Sequence, residues 1–271
     1  MKKLLVLLIS LLLLVGCSSG TNSSNNENKL VISATAEPHA TILEFAKPLL
    51  EELGYEVEIE ILDNYYIFNE ALNGKEVDAN YFQHIPFFNG EVSEKGYSIA
   101  NAGGVHIEPF GFYSKRYTNV DDIPEGALVV ISNSVADHGR ILAILDNAGV
   151  ITLKEGVDSL NATLEDVVEN PKNLKFEEVN PEFLTSVYNE DSADLVAING
   201  NYAIGAGLNP VKDAVILESA DETNPYVNIV ACHVDDLDSQ KIKDLVAVLQ
   251  GDEVKAFISE HYADGSVIPV E

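Results

Sequence analysis

Residues 29–61 read KLVISATAEPHATILEFAKPLLEELGYEVEIEI, and this stretch decides the fold class. Its first part, residues 30–34, is a short apolar run of the length and composition of a strand. From Ile42 onward the apolar residues Ile42, Leu43, Phe45, Ala46, Leu49, Leu50 and Leu53 recur at helical spacing, and Gly54 closes the pattern. Val57-Glu58-Ile59-Glu60-Ile61 then alternates with period two, which predicts a second strand. Strand, helix and strand in succession are the rhythm of an α/β fold.

The rhythm continues outward. Apolar runs predict further strands at 111–114, 128–131, 174–178, 195–198, 214–217 and 228–232. Amphipathic spacing predicts helices at 139–148, 181–189, 241–249 and 252–262. No internal repeat and no second linker interrupts the pattern, so a two-lobed domain whose lobes exchange the chain is expected, not two separate domains. The 271-residue length and the 46% hydrophobic content suit one large domain or two lobes with packed cores.

Toward the N-terminus, Lys2 and Lys3 precede an apolar run over residues 4–15 that only Ser10 interrupts, followed by Gly16-Cys17-Ser18-Ser19. This is the layout of a secretory signal. The run is too short for a hydrocarbon core of ~30 Å, which takes about 20 residues. Leu14-Val15-Gly16-Cys17 resembles the lipobox of bacterial lipoproteins, where cleavage before the Cys leaves it diacylglyceryl-modified at the new N-terminus. Residues 1–16 are therefore expected to be a signal peptide, and 17–28 a lipidated Cys17 with a polar tether that holds no apolar side chain beyond it. Cys17 and Cys232 are the two cysteines, so a lipid on Cys17 leaves no intramolecular disulfide to form.

The formal net charge of −28 argues against a nucleic-acid partner. It reads as a solvated surface that keeps an extracytoplasmic protein soluble, and an anionic ligand would need a local cationic anchor. No His-x-x-x-His, Gly-x-Ser-x-Gly or phosphate-loop pattern points to catalysis, so neither an enzyme nor a cofactor is expected. An alternative reading is a metal-binding lipoprotein of an importer, with His39, His84, His106 and Glu108 as ligands.

Asp78-Ala79-Asn80-Tyr81-Phe82-Gln83-His84-Ile85-Pro86-Phe87 packs aromatic, amide and imidazole groups densely enough to serve as a pocket wall, although a core helix would also carry such aromatics. Together with His106-Ile107-Glu108-Pro109, Gly139-Arg140, Val168-Glu169-Asn170-Pro171-Lys172-Asn173-Leu174 and Ile198-Asn199-Gly200-Asn201-Tyr202-Ala203, it resembles the NlpA family of lipoproteins, methionine-binding components of ABC importers. The resemblance runs from Lys29 to the end of the chain. It implies a type II-like periplasmic-binding-protein fold of two α/β lobes joined by two crossovers, with residues 29–112 plus 223–271 as one lobe and 113–222 as the other. It implies capture of methionine, a related amino acid or a short peptide, and delivery to an ABC permease by a monomer held on the extracytoplasmic face of the membrane.

By position, the resemblance also assigns roles. Tyr81, Phe82 and His84 would hold the ligand side chain, Tyr65 and His106 would line the same pocket, Arg140 would take the ligand carboxylate, and Asn199 and Asn228 would bind the amino-acid backbone. The chain has two arginines, Arg116 and Arg140, and the apolar context Gly139-Arg140-Ile141-Leu142 marks the second. Its guanidinium is the side chain best shaped to grip a carboxylate with two parallel bonds. Asn199 follows the apolar run 195–198, at a strand end where ligands of open sheets bind. Family members commonly have Asn-Glu-Gly-Arg where this chain has Asp137-His138-Gly139-Arg140, and an acid at 137 could pair with Arg140 or attract an amino group.

Overall fold

The computed structural model describes residues 28–158, 160–219 and 224–270. The expected signal segment and Cys17 lie outside the described residues, as does all of the expected tether before residue 28. No helix among the described residues is long and apolar enough to cross a membrane.

In chain order, β1 (Lys29–Ala34), α1 (Thr41–Glu52), β2 (Glu56–Ile61), α2 (Tyr65–Asn73), β3 (Ala79–His84), α3 (Ile85–Lys95) and β4 (Ile99–Ile107) build most of one lobe. The chain then enters the second lobe through β5 (Gly111–Tyr113), β6 (Leu128–Ser132), α4 (Val135–Asn147) and a small hairpin of β7 (Thr152–Leu153) and β8 (Val167–Glu169). There follow β9 (Lys175–Val179), α5 (Leu184–Asn189), β10 (Leu195–Ile198), α6 (Gly200–Gly205), α7 (Pro210–Asp213) and β11 (Ile216–Leu217). It returns through β12 (Val227–His233), α8 (Gln240–Leu249), α9 (Asp252–His261) and β13 (Ile268–Pro269).

The two main sheets have the orders β13-β4-β12-β3-β1-β2 and β11-β5-β10-β6-β9, giving the expected two-lobed α/β architecture. In the first, β1 pairs in parallel with β2 and β3, so the stretch read first is a strand–helix–strand unit. In the second, β6 lies parallel to β9 and β10. α1 buries Ile42, Leu43, Ala46 and Leu50 against Leu30 and Ile32 of the sheet, which is why its apolar residues recur at helical spacing. A separate core in the second lobe gathers Phe112, Val129, Ile131, Ile141, Leu145 and Leu195. A third cluster crosses between lobes, packing Tyr65, Phe68, Phe82 and Phe87 against Tyr113, Val196, Ile198 and Tyr202.

Because β5 pairs with β10 and β11, the first crossover is Glu108–Phe110, and the expected break after residue 112 falls inside a strand of the second sheet. Phe110-Gly111-Phe112-Tyr113 is one apolar run whose pattern carries no mark of where the sheet changes. The second crossover begins at Glu218, and the expected boundary at 222/223 lies outside the described residues. The two crossovers are bonded together: Glu218 N–H donates to Phe110 O at 2.9 Å, and Phe110 N–H donates to Glu218 Oε2 at 3.1 Å.

Candidate functional site

Side chains from both lobes enclose one cavity at the carboxyl ends of the parallel strands, where open α/β sheets place ligands. Tyr65, Phe82, Gln83, His84, Phe87, Glu108 and Asn228 line it from the first lobe and the first crossover. Asp137, Arg140, Asn199, Gly200 and Asn201 line it from the second. The volume open to the centre of a water molecule is about 30 Å³, room for roughly two waters.

The apolar wall begins on β3. The pairing of β12 with β3 steps from Ile229–Gln83 to Val230–Tyr81, leaving Phe82 as the extra residue of a bulge. A bulge re-aims side chains locally, and here Phe82 and Gln83 both reach the cavity wall. Phe82 stacks on Phe68 with ring centroids 4.0 Å apart, and Tyr65 stacks on Tyr202 at 4.9 Å. Behind the wall, Asn69, Asn80 and Gln83 satisfy one another by amide hydrogen bonds of 2.7–3.0 Å, which fixes the buried end of β3. His84 caps α3 by accepting from Phe87 N–H at 3.1 Å, so the dense segment 78–87 divides into a strand and a helix start at His84.

A second layer is polar. Asn228 stands opposite His84 on β3 and His106 on β4, so three site residues form one row across the first sheet. Asn228 Oδ1 lies 3.1 Å from His39 Nε2, and His39 Nδ1 lies 2.7 Å from Thr35 Oγ1. His106 Nε2 lies 2.8 Å from Glu108 Oε1, and His106 Nδ1 meets the Tyr81 hydroxyl. Burial pushes His39 down to about 4 and His106 down to about 3, which keeps both rings neutral. Burial pushes Glu108 up, opposed by the nearby His39 and Arg140.

His39, His106 and Glu108 lie close enough together to hold a metal ion. Both ring nitrogens of each His already have partners in this network, and His84, the further ligand expected for a metal, is turned to Asp137 instead. The arrangement is that of a satisfied buried network, not of an open coordination site.

From the second lobe, α4 starts a turn earlier than the sequence pattern predicts, so Asp137 and Arg140 both sit in its first turns, Asp137 2% and Arg140 4% exposed. Gly139, where the predicted helix begins, is buried inside it. Asp137 Oδ1 lies 3.3 Å from His84 Nε2, and Oδ2 accepts from Asn199 Nδ2 at 3.3 Å. Burial opposes its charge, but the His84 contact and the Arg140 charge outweigh it and hold its pKa below the ordinary carboxylate value.

Arg140 is gripped elsewhere. Its Nε and Nη2 donate to Glu218 at 2.8 and 2.6 Å, and Nη2 also donates to Glu108 O at 2.8 Å. The guanidinium lies 4.2 Å from the Tyr226 ring centre and 5.1 Å from that of Phe110. Asn199 follows β10 and precedes α6, and its Oδ1 is buried without a hydrogen-bond partner among the described residues. Gly200 lets the backbone approach Glu108: a Cβ there would come within 2.6 Å of Glu108 Cβ.

Of the expected site residues, the structure brings Tyr65, Phe82, His84, Arg140, Asn199 and Asn228 to one cavity. Tyr81 and His106, expected to face the ligand, stand one layer behind it, both 0% exposed, and brace Glu108. Asp137, flagged as a departure, meets His84 and Asn199 and makes no hydrogen bond to Arg140. Phe87, Gln83, Glu108, Gly200 and Asn201 also line the wall. All five fall within the motifs quoted above, but no pattern in the sequence marks which members of a motif face inward.

The family model of the NlpA lipoproteins matches residues 30–271. The chain is 47% identical to the methionine-binding lipoprotein MetQ of Bacillus subtilis, over 100% of this chain and 99% of that protein. A nutrient-binding protein from Burkholderia cenocepacia, solved bound to methionine, is 36% identical with a TM-score of 0.83, covering 89% of this chain and 100% of the other. An ABC transporter periplasmic substrate-binding protein from Coxiella burnetii is 34% identical with a TM-score of 0.82, again over 89% and 100%.

Proposed function

This chain belongs to the NlpA lipoprotein family, and on that premise we propose that it captures methionine, or a closely related amino acid or short peptide, outside the membrane and delivers it to an ABC import permease. The observation that carries the reading is the cavity itself, which sets an aromatic wall of Tyr65, Phe82 and Phe87 against polar groups from the opposite lobe. Such a wall buries a thioether or other apolar side chain, and sulfur gains from aromatic contact. The backbone of the ligand then faces Asp137, Arg140, Asn199 and Asn228. These residues are suited to bind and orient a ligand, which is the work of a carrier.

The cavity is walled by side chains of both lobes. Loading therefore requires the lobes, divided at Glu108–Phe110 and again beyond Leu217, to part and close again over the ligand. Cys17 carries the lipid anchor, and the mature protein works as a monomer on the extracytoplasmic face. Replacing Cys17 with Ser releases it from the membrane fraction; unchanged retention would refute the anchor.

Mass spectrometry of the small molecules freed when the purified protein is denatured tests the reading. Methionine or a methionine-containing peptide, in near one-to-one ratio, is expected. A stoichiometric metal ion, or a protein that binds methionine in neither native nor refolded form, would overturn it.

A further inference from the structure

We propose that Tyr202, which stands behind the cavity wall and not in it, is a positioning residue that clamps the second lobe onto the first and so sets how long the closed cleft holds its cargo. The inference rests on the carrier reading above and names what governs release from that cleft.

Tyr202 belongs to α6, the helix that follows Asn199, and the two residues before it, Gly200 and Asn201, line the cavity. Its side chain reaches out of the second lobe. The ring stacks on Tyr65 with centroids 4.9 Å apart and planes 30° from parallel, and the hydroxyl donates to Asp63 O at 2.6 Å. Tyr65 opens α2 of the first lobe, and Asp63 lies just before that helix. The Tyr65 hydroxyl in turn donates to Asn201 Oδ1. Two successive residues of α6 therefore hold one wall residue of the other lobe, at its ring and at its hydroxyl.

These contacts belong to the closed state. Tyr202 is 8% exposed within the aromatic cluster that spans the lobes, and parting the lobes uncovers its ring and breaks its hydroxyl bond. That bond is of normal length for a hydroxyl donor, whereas Asn64 Nδ2 meets Glu182 Oε1, and His84 Nε2 meets Asp137 Oδ1, across the lobes at 3.3 Å. Tyr65 also meets Phe82 at 5.8 Å and Phe87 at 5.9 Å between ring centroids. An apolar group seated on this wall and the Tyr202 ring therefore brace the same side chain. A ligand enters the open cleft before the clamp forms, so a bond made only on closure slows release and leaves capture unchanged.

The test uses the full-length protein in detergent, stripped of bound ligand by unfolding and refolding. Calorimetry gives the methionine affinity, and chasing bound labelled methionine with excess unlabelled methionine gives its release rate. Tyr202→Phe keeps the ring and loses the hydroxyl bond. It is expected to release methionine about three- to tenfold faster, the usual net effect of one hydrogen bond, with the association rate changed by less than about twofold. Tyr202→Leu loses the stack as well and is expected to release it at least about thirtyfold faster. Melting curves of the ligand-free variants separate this effect from misfolding, and where Tyr202→Leu folds poorly the Tyr202→Phe result decides. Release from Tyr202→Phe within about twofold of the wild type, or a loss of affinity carried by the association rate, overturns the proposal while leaving methionine binding intact. Failure of the wild type to bind methionine overturns the function first, and this inference with it.

Discussion

Two buried acid–base pairs border the same cleft and are built in opposite ways. Arg140 and Glu218 meet through two short hydrogen bonds, with aromatic rings close to the guanidinium and the Glu108 carbonyl as a third acceptor. His84 and Asp137 meet once, at 3.3 Å. The tight pair sits where both crossovers come together, since Glu108, Phe110, Glu218 and Tyr226 all belong to those segments. The loose pair joins β3 of one lobe to α4 of the other and comes apart if the lobes open. The Arg140–Glu218 pair therefore frames the crossovers, while the His84–Asp137 pair is the contact that lobe opening would break.

Breaking the frame has the largest expected effect. Arg140→Ala leaves Glu218 as an uncompensated buried carboxylate, at a cost of roughly 3–5 kcal/mol of stability, and lowers the melting temperature by about 10 °C or more. Arg140→Lys keeps the charge without the fork and recovers only part of that loss. A melting curve for Arg140→Ala that overlays the wild type would mean the pair is not structural.

Acid attacks the network behind the cavity wall. His39 and His106 stay neutral in the fold, at about 4 and about 3, so between pH 6.5 and 4 the unfolded chain takes up protons that the folded one refuses. Stability therefore falls as pH falls through that window. The raised pKa of Glu108 works the other way, because the folded state takes that proton first. A net loss of stability is expected, visible as a falling melting temperature that His106→Gln flattens. A flat profile in the wild type would contradict neutral buried rings.

Gly200→Ala is smaller again, because its Cβ would strike Glu108 and force the first crossover or α6 to shift. Overpacking of this kind costs roughly 1–3 kcal/mol, and ligand affinity should fall with it. An unchanged melt would show that the contact yields freely. Arg116 closes the series. It bonds Asp191 and Asp194 on the exposed surface, where ion pairs count for little, so Arg116→Ala should leave both the melt and the binding isotherm where they were. A loss comparable to that of Arg140→Ala would erase the distinction between buried and exposed guanidinium on which the comparison rests.

The fold was legible wherever hydrophobic period and sheet face coincide. β1, α1 and β2 lie within a residue of their predicted bounds, and β10 matches; β1, α1 and β10 bury continuous apolar faces, while β2, at the sheet edge, was marked by its alternation alone. α4 was read short because Asp137 and His138 look like a polar lead-in, although Asp137 is buried against His84 of the other lobe. The site was legible in membership but not in wiring. Glu218 reaches Arg140 across 78 positions and His84 reaches Asp137 across 53, and no local pattern encodes such pairings. Tyr81 was misjudged for a related reason: the bulge at Phe82 breaks the alternation that would otherwise show which side chains of β3 face the cavity.

A crystal structure of the complex with methionine tests the central claim most directly. The account predicts the thioether against Phe82 and Phe87 and the amino-acid backbone among Asp137, Arg140, Asn199 and Asn228, so that the ligand touches both lobes at once. Methionine bound outside this cleft, or touching one lobe only, would contradict it.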